Sequence, residues 1–137
     1  MGVLVDTSAF LHFFDGDAEY HAVISALVDA ERDPLVISPF VLAELDYLIA
    51  RRFTAHHARQ AMQELVGGAY HLVDFGWEEV QRALRVIDRF SDRRLGLTDA
   101  SLLEIADRLQ ISTIFTLDRR DFDGLVRSDG TPLTILP

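Results

Sequence analysis

The chain has 137 residues, 49% of them hydrophobic, and a formal net charge of −9 from 22 acidic and 13 basic side chains. That length suits one domain with a real core, read here as a single domain over residues 1–137, and the composition excludes a disordered chain. No cysteine is present, which excludes a disulfide scaffold, a Cys-ligated zinc site, an iron–sulfur cluster and a thiol nucleophile.

The N-terminal stretch MGVLVDTSAF lacks a basic leader, and its apolar run Val3-Leu4-Val5 stops at Asp6. The run is too short for a signal peptide or a membrane span, so a soluble, cytoplasmic protein is expected. Val3–Val5 reads as a buried strand. Tyr20–Arg32 reads as a helix with Val23, Leu27 and Ala30 on one face. Leu35-Val36-Ile37 is a second strand, followed by Ser38-Pro39, a helix start with Ser at the N-cap and Pro at the first position. That helix runs to about Arg52. Another spans Ala55–Val66 and stops at Gly67-Gly68. Tyr70–Val73 is a strand and Trp77–Phe90 an amphipathic helix. Thr98 is expected to cap a helix that ends near Leu109. Thr113–Leu117 is β-branched and apolar, hence a strand, and Leu133–Leu136 is a weak final strand at an edge. Short apolar strands alternating with helices imply a parallel sheet covered on both faces. Such sheets bind ligands at the carboxyl ends of their strands, near the switch in strand order.

Four carboxylates stand out by position. Asp6 and Asp118 each end an apolar strand. Asp99 lies at the start of a helix whose next turns carry Leu102, Leu103 and Ala106. Glu44 lies mid-helix with Phe40, Val41, Tyr47 and Leu48 as helical neighbours, an expensive place for an unpaired charge. Glu104, Asp107 and Arg108 take the opposite face of the Asp99 helix and are expected to be solvated. Each of the four acids has an ordinary alternative: Asp6 as a helix cap, Asp99 as a first-turn acid favoured by the helix dipole, Asp118 as a turn residue, Glu44 paired with an Arg. Taken together, however, they can meet in one crevice. Four anions so close need protons or a cation. An all-oxygen set without His or Cys suits Mg²⁺ or Mn²⁺ rather than Zn²⁺. A divalent ion would also let an acidic protein hold a phosphodiester and stabilise an in-line displacement.

The segments VLVDTSAF, SPFVLAELDYL, GLTDASLLEIADRL and IFTLDRRDF, in that order from Val3 to Phe122, resemble the PIN-domain family. They are most similar to its VapC-type toxin ribonucleases, which belong to VapBC toxin–antitoxin systems. The resemblance implies a three-layer α/β/α PIN-like fold with a central, mostly parallel sheet of four to five short strands. It implies a metal-dependent endoribonuclease that cuts structured RNA, ribosomal RNA or tRNA, and so inhibits translation. Matched motif by motif, it puts Asp6, Glu44, Asp99 and Asp118 in the acidic quartet that holds Mg²⁺ or Mn²⁺. It also implies a VapB-type antitoxin and a homodimer.

Secondary expectations concern the neighbours of these acids. Thr7 and Ser8 can place a hydroxyl near metal or phosphate, or cap the next helix. Thr116 can orient Asp118, or simply suit a strand. Asp121 is a candidate extra ligand whose simpler reading is a solvated turn acid. Arg93, Arg94, Arg119 and Arg120 are candidate RNA contacts; Arg51 and Arg52 are weighed for the same role, but solvation and the dipole at the end of the Glu44 helix are the simpler reading. The five histidines show no ligand spacing, and Trp77 is assigned to core or dimer surface. A receiver-like phosphate domain and a P-loop NTPase both need a lysine that the chain lacks. The remaining alternative is a PIN-like module that binds RNA or protein without cutting.

Overall fold

A computed structural model describes residues 2–137. Five strands form one sheet: β1 (Val3–Val5), β2 (Leu35–Ile37), β3 (Tyr70–Leu72), β4 (Thr113–Phe115) and β5 (Thr134–Leu136). Their order is β3-β2-β1-β4-β5 and every pairing is parallel. Seven helices flank the sheet: α1 (Thr7–Phe14), α2 (His21–Ala30), α3 (Pro39–Arg52), α4 (Ala55–Gly67), α5 (Trp77–Arg89), α6 (Leu97–Leu109) and α7 (Arg119–Phe122). A single 3₁₀ turn, Ser91–Arg93, joins α5 to α6. No helix among the described residues is long and apolar enough to cross a membrane.

Successive strand residues point to opposite faces. All three residues of β1 and of β2 are buried, so both sheet faces are covered there. The edge strands β3 and β5 are partly exposed. The chain lays β2 and β3 on one side of β1, then crosses to place β4 and β5 on the other. The order therefore reverses at β1 and β4, whose carboxyl ends carry Asp6 and Asp118.

Local chemistry explains most element ends. Ser38 Oγ accepts the Phe40 N–H and Pro39 opens α3 as expected. Helix α4 stops at Gly67, and Gly68 passes so close to the Tyr70 ring that a Cβ would lie 2.6 Å from it. Other details differ from expectation. In α2 the buried residue is Ile24, with Leu27 and Val28 partly buried, while Val23 and Ala30 face solvent. Helix α6 begins at Leu97, not after Thr98, because Leu97 itself packs on the core; its N-cap is Gly96. Thr98 instead offers its carbonyl to Ser101 Oγ at 2.6 Å. Strand β4 ends at Phe115, although the Thr116 N–H still reaches Leu136 O. Trp77 is 87% exposed, which removes it from the core.

Two acids have surroundings opposite to those expected. Glu104 is 2% exposed rather than solvated: Arg82 Nε lies 3.1 Å from its Oε1, and Arg108 grips both oxygens at 3.0 and 3.1 Å. Helix α5 packs over that face of α6 and brings the arginine that periodicity within α6 alone does not reveal. Glu44, in turn, is exposed, as is Tyr47 beside it, so the expected desolvation of Glu44 is absent.

Candidate functional site

The carboxyl end of β1 sets the floor of the site. Asp6 is 3% exposed and sits at the N-cap position of α1, yet its side chain makes no capping hydrogen bond. Its carboxylate instead accepts the Thr116 hydroxyl at 2.8 Å, with Ser8 Oγ 3.3 Å away. Thr116 thus joins two strand ends, because its Oγ1 also accepts the Asp118 N–H at 3.0 Å. Ser8 Oγ lies 3.1 Å from Thr116 Oγ1 and accepts the Leu117 N–H at 2.9 Å. Neither Thr7 nor Ser8 spends its hydroxyl on capping α1, and Thr116 is more than a strand former. Thr7 Oγ1 is buried with no hydrogen-bond partner among the described residues.

The four acids share one electrostatic field. Burial pushes Asp6 up to about 6; its bonds from Thr116 and from the Thr7 backbone oppose this, while Asp118 and Glu44 reinforce it. Asp99, in the first turn of α6, is pushed up to about 7, by burial first and then by the charges of Asp6, Asp121, Glu44 and Asp118. Asp118 is raised by burial and by Asp121 and Glu44, against a hydrogen bond from Ser8. No guanidinium offsets any of these three shifts. Asp121, expected to be a solvated turn residue, is indeed exposed, but it adds a fifth charge to the group. Its spacing of three residues from Asp118, across the start of α7, was the available signal.

Beside the acids runs a crevice of about 300 Å³. Glu44, Leu48 and Arg52 from α3 form one wall; Thr7, Ser8, Leu11 and His12 from α1 form the other, with Leu117 and Asp118 at one end. His12 is absent from the sequence-based candidates, and Arg52 is there ranked as a dipole partner above an RNA contact. Helical periodicity carried the signal for Arg52, which lies eight residues after Glu44 on the same face.

The arginines expected to meet RNA divide into two sets. Arg93 Nη2 donates to the carbonyls of Arg120 (3.0 Å) and Asp123 (2.7 Å), and so clamps the α7 segment. Arg119 Nη2 donates to Ile135 O and Pro137 O at 3.1 and 2.9 Å, tying down the C-terminal strand. These two serve the scaffold, contrary to expectation. Arg94 and Arg120 are exposed, with no side-chain partner among the described residues.

A divalent ion suits the donor chemistry of this group. Its donors are all oxygens, the carboxyls of Asp6, Asp99 and Asp118 are raised by burial and neighbouring charge with no cationic partner, and the buried Thr7 hydroxyl lacks a partner. Among the described residues no three acids or imidazoles already surround a common point.

Comparison with known proteins places these features in a family. The PIN domain family model matches residues 3–126. The chain is 41% identical over 135 residues to Ribonuclease VapC26 of Mycobacterium tuberculosis, covering 98% of this chain and all of that one. Among solved structures it is similar to M. tuberculosis VapC20, a sarcin–ricin loop cleaving toxin, with a TM-score of 0.81 at 18% identity over 90% of this chain and 96% of the other. It is also similar to VapBC2 of Rickettsia felis bound to a promoter DNA fragment, with a TM-score of 0.74 at 15% identity over 100% of both chains.

Proposed function

Because the chain belongs to the PIN-domain family, among the VapC ribonuclease toxins of toxin–antitoxin systems, we propose that Asp6, Glu44, Asp99 and Asp118 form its divalent-metal site. In this reading residues 1–137 are one nuclease domain that hydrolyses a phosphodiester in structured RNA. The observation that carries the proposal is the raised, uncompensated pair Asp6 and Asp99, held at about 6 and about 7 with no arginine against them. Perturbed carboxylates in a crevice mark functional sites when no structural ion pair explains them. The alternative of a module that binds without cutting is set aside, since the family relative is a ribonuclease.

Asp6, Glu44 and Asp99 would hold Mg²⁺ or Mn²⁺, with Asp118 completing a second, weaker position or orienting the attacking water. The ion, when bound, supplies Lewis acidity toward the phosphodiester and toward that water. The protein's own task is orientation. Thr116 and Ser8 fix the Asp6 carboxylate and the backbone that presents Asp118. Thr7 lines the crevice, and its buried hydroxyl would need a small local shift to donate to a phosphate oxygen there. Arg94 and Arg120 are the free cations of the four arginines that flank the acids, and they would counter the −9 net charge for an RNA backbone. The substrate we favour is a loop of ribosomal RNA, on the strength of the sarcin–ricin activity of the VapC20 toxin, with tRNA as the second class. A VapB-type antitoxin partner, a homodimer and a cytoplasmic location complete the proposal.

The test is cleavage of structured RNAs, a synthetic sarcin–ricin stem–loop included, with Mn²⁺ and with EDTA. Wild type should cut only with the ion, and Asp99→Asn should not cut. Expression without an antitoxin should arrest bacterial growth, and Asp6→Ala should relieve the arrest. Equal behaviour of wild type and Asp99→Asn on a cleaved RNA would overturn the assignment.

A further inference from the structure

The crevice between α1 and α3 changes character along its length. Its lining includes Glu44, Asp118, Thr7 and Ser8, the apolar Leu11 and Leu48, and the nitrogen-bearing His12 and Arg52. On both walls the acid, or the hydroxyl beside it, comes first in the chain. The nitrogen-bearing side chain follows one turn later on α1 (Ser8 to His12) and two turns later on α3 (Glu44 to Arg52). Two helical turns place Arg52 about 12 Å along α3 from Glu44.

Both nitrogen groups are available as donors. The neighbouring Arg51 is engaged by the Tyr47 hydroxyl at 2.9 Å, whereas Arg52 makes no hydrogen bond or ion pair among the described residues. The Tyr20 backbone N–H donates to His12 Nδ1 at 3.2 Å. That bond puts the ring proton on Nε2, so the free edge of the imidazole is a donor. His12 is further held by its ring contact with Tyr20 and by the bond between its carbonyl and His21 Nδ1. A fixed N–H on α1 and a free guanidinium on α3, both lining a crevice that also carries carboxylates, suit an anion. The planar fork of Arg matches phosphate oxygens in pairs.

We propose that Arg52 and His12 form a phosphate subsite that grips the RNA backbone beside the scissile phosphodiester, with Leu11 and Leu48 against the intervening nucleoside. The subsite rests on the reading of the acids as a ribonuclease centre, and it gives the substrate a track: along the α1–α3 crevice, from the acids toward the end of α3. It supplies local positive charge that a chain of net charge −9 needs for an anionic polymer.

The test measures binding, so it does not depend on turnover. Asp99→Asn protein with Mg²⁺ is titrated against a fluorescein-labelled sarcin–ricin stem–loop over a range of salt concentrations. Adding Arg52→Ala should weaken binding about 3- to 10-fold near 0.1 M salt and lower the slope of log K against log salt by about 0.7–1, the loss of one phosphate contact. Arg52→Lys should keep most of the slope. His12→Ala should weaken binding less, with little change in slope. Arg32→Ala removes the same charge from the amino-terminal side of the sheet, just before β2, and serves as the control; its slope should not change. Thermal melting of each variant separates misfolding from lost contact. An unchanged slope in folded Arg52→Ala, an equal loss in Arg32→Ala, or no binding by Asp99→Asn protein would each overturn the subsite. Wild-type cleavage of the same RNA is scored separately. Cleavage with an unchanged Arg52→Ala slope removes the subsite and leaves the ribonuclease reading intact, whereas Arg52-dependent binding without metal-dependent cleavage does the reverse.

Discussion

Two of the three carboxylates on helix α6, Asp99 and Glu104, stand five residues apart, and the protein treats them in opposite ways. Glu104 is more deeply buried, yet both of its carboxylate oxygens accept hydrogen bonds, from Arg82 and Arg108. Asp99 is only half-buried, yet it faces four other acids with no cation, and its proton affinity rises to about 7. Depth of burial therefore does not separate a structural acid from one we propose to be functional. The partner does: a carboxylate pinned by guanidinium groups holds two helices together, while one surrounded by like charge holds free energy in reserve for a ligand.

The largest effect that should separate the two is catalytic. Asp99→Asn should lower RNA cleavage by at least about 10²–10³-fold, as loss of a group that stabilises transition-state charge does. Glu104→Gln should leave the rate per folded molecule close to wild type. A comparable rate loss in Glu104→Gln, measured on protein shown to be folded, would dissolve the contrast.

Next in size is the pH dependence of metal-free stability. Asp6 and Asp99 bind their protons more tightly folded than unfolded, where an Asp titrates near pH 3.9. The stability they contribute is therefore fully present below about pH 4 and is lost as pH rises through about 6 for Asp6 and about 7 for Asp99. For Asp6 the loss is on the order of 3 kcal/mol. In EDTA the melting temperature should be higher at pH 5 than at pH 8, and Asp6→Asn should flatten that difference. A melting temperature that climbs from pH 5 to pH 8 in EDTA would contradict the raised acids.

The structural acid should show its effect on melting alone. Glu104→Ala should cost roughly 2–3 kcal/mol, toward the low end for a buried pair because Arg82 is partly exposed and can rehydrate. Chemical denaturation reads this directly. The smallest effect concerns orientation. Thr116→Val removes the bond that lowers Asp6, so the acid limb of the pH–rate profile should shift to higher pH. The rate should fall about tenfold near pH 7 and recover in part at pH 8.5; a parallel loss at both pH values would assign Thr116 to packing instead.

Much of this arrangement was legible because it is local. The apolar triplets that become β1 and β2, the Ser38-Pro39 start and the Gly67-Gly68 stop each follow from a few adjacent residues, and Asp6 and Asp118 were placed at strand ends by the same reading. What escaped is set by partners distant in the chain. Glu104 was assigned to solvent because its arginine from α5 is 22 residues away. Arg93 and Arg119 were assigned to RNA, although carbonyls 27 to 30 and 16 to 18 residues away take up their guanidinium groups. Glu44 was picked out for an apolar surface that it does not have, and it joins the other acids through their shared field. Thr116 was legible as a residue that orients Asp118, but its bond to Asp6 was not, because only the pairing of β1 with β4 brings its hydroxyl to an acid 110 residues earlier in the chain.

The most direct measurement is calorimetric titration of Mn²⁺ into wild type and Asp99→Asn at pH 6.5 and pH 8.5, in buffers of different ionisation enthalpy. A cation gathered by these acids should bind wild type at both pH values, with net proton release at pH 6.5 that fades by pH 8.5 as Asp6 and Asp99 ionise unaided. Asp99→Asn should bind at least tenfold more weakly and release fewer protons. Equal affinity in the two proteins, or binding to wild type with no proton release at pH 6.5, would contradict the account.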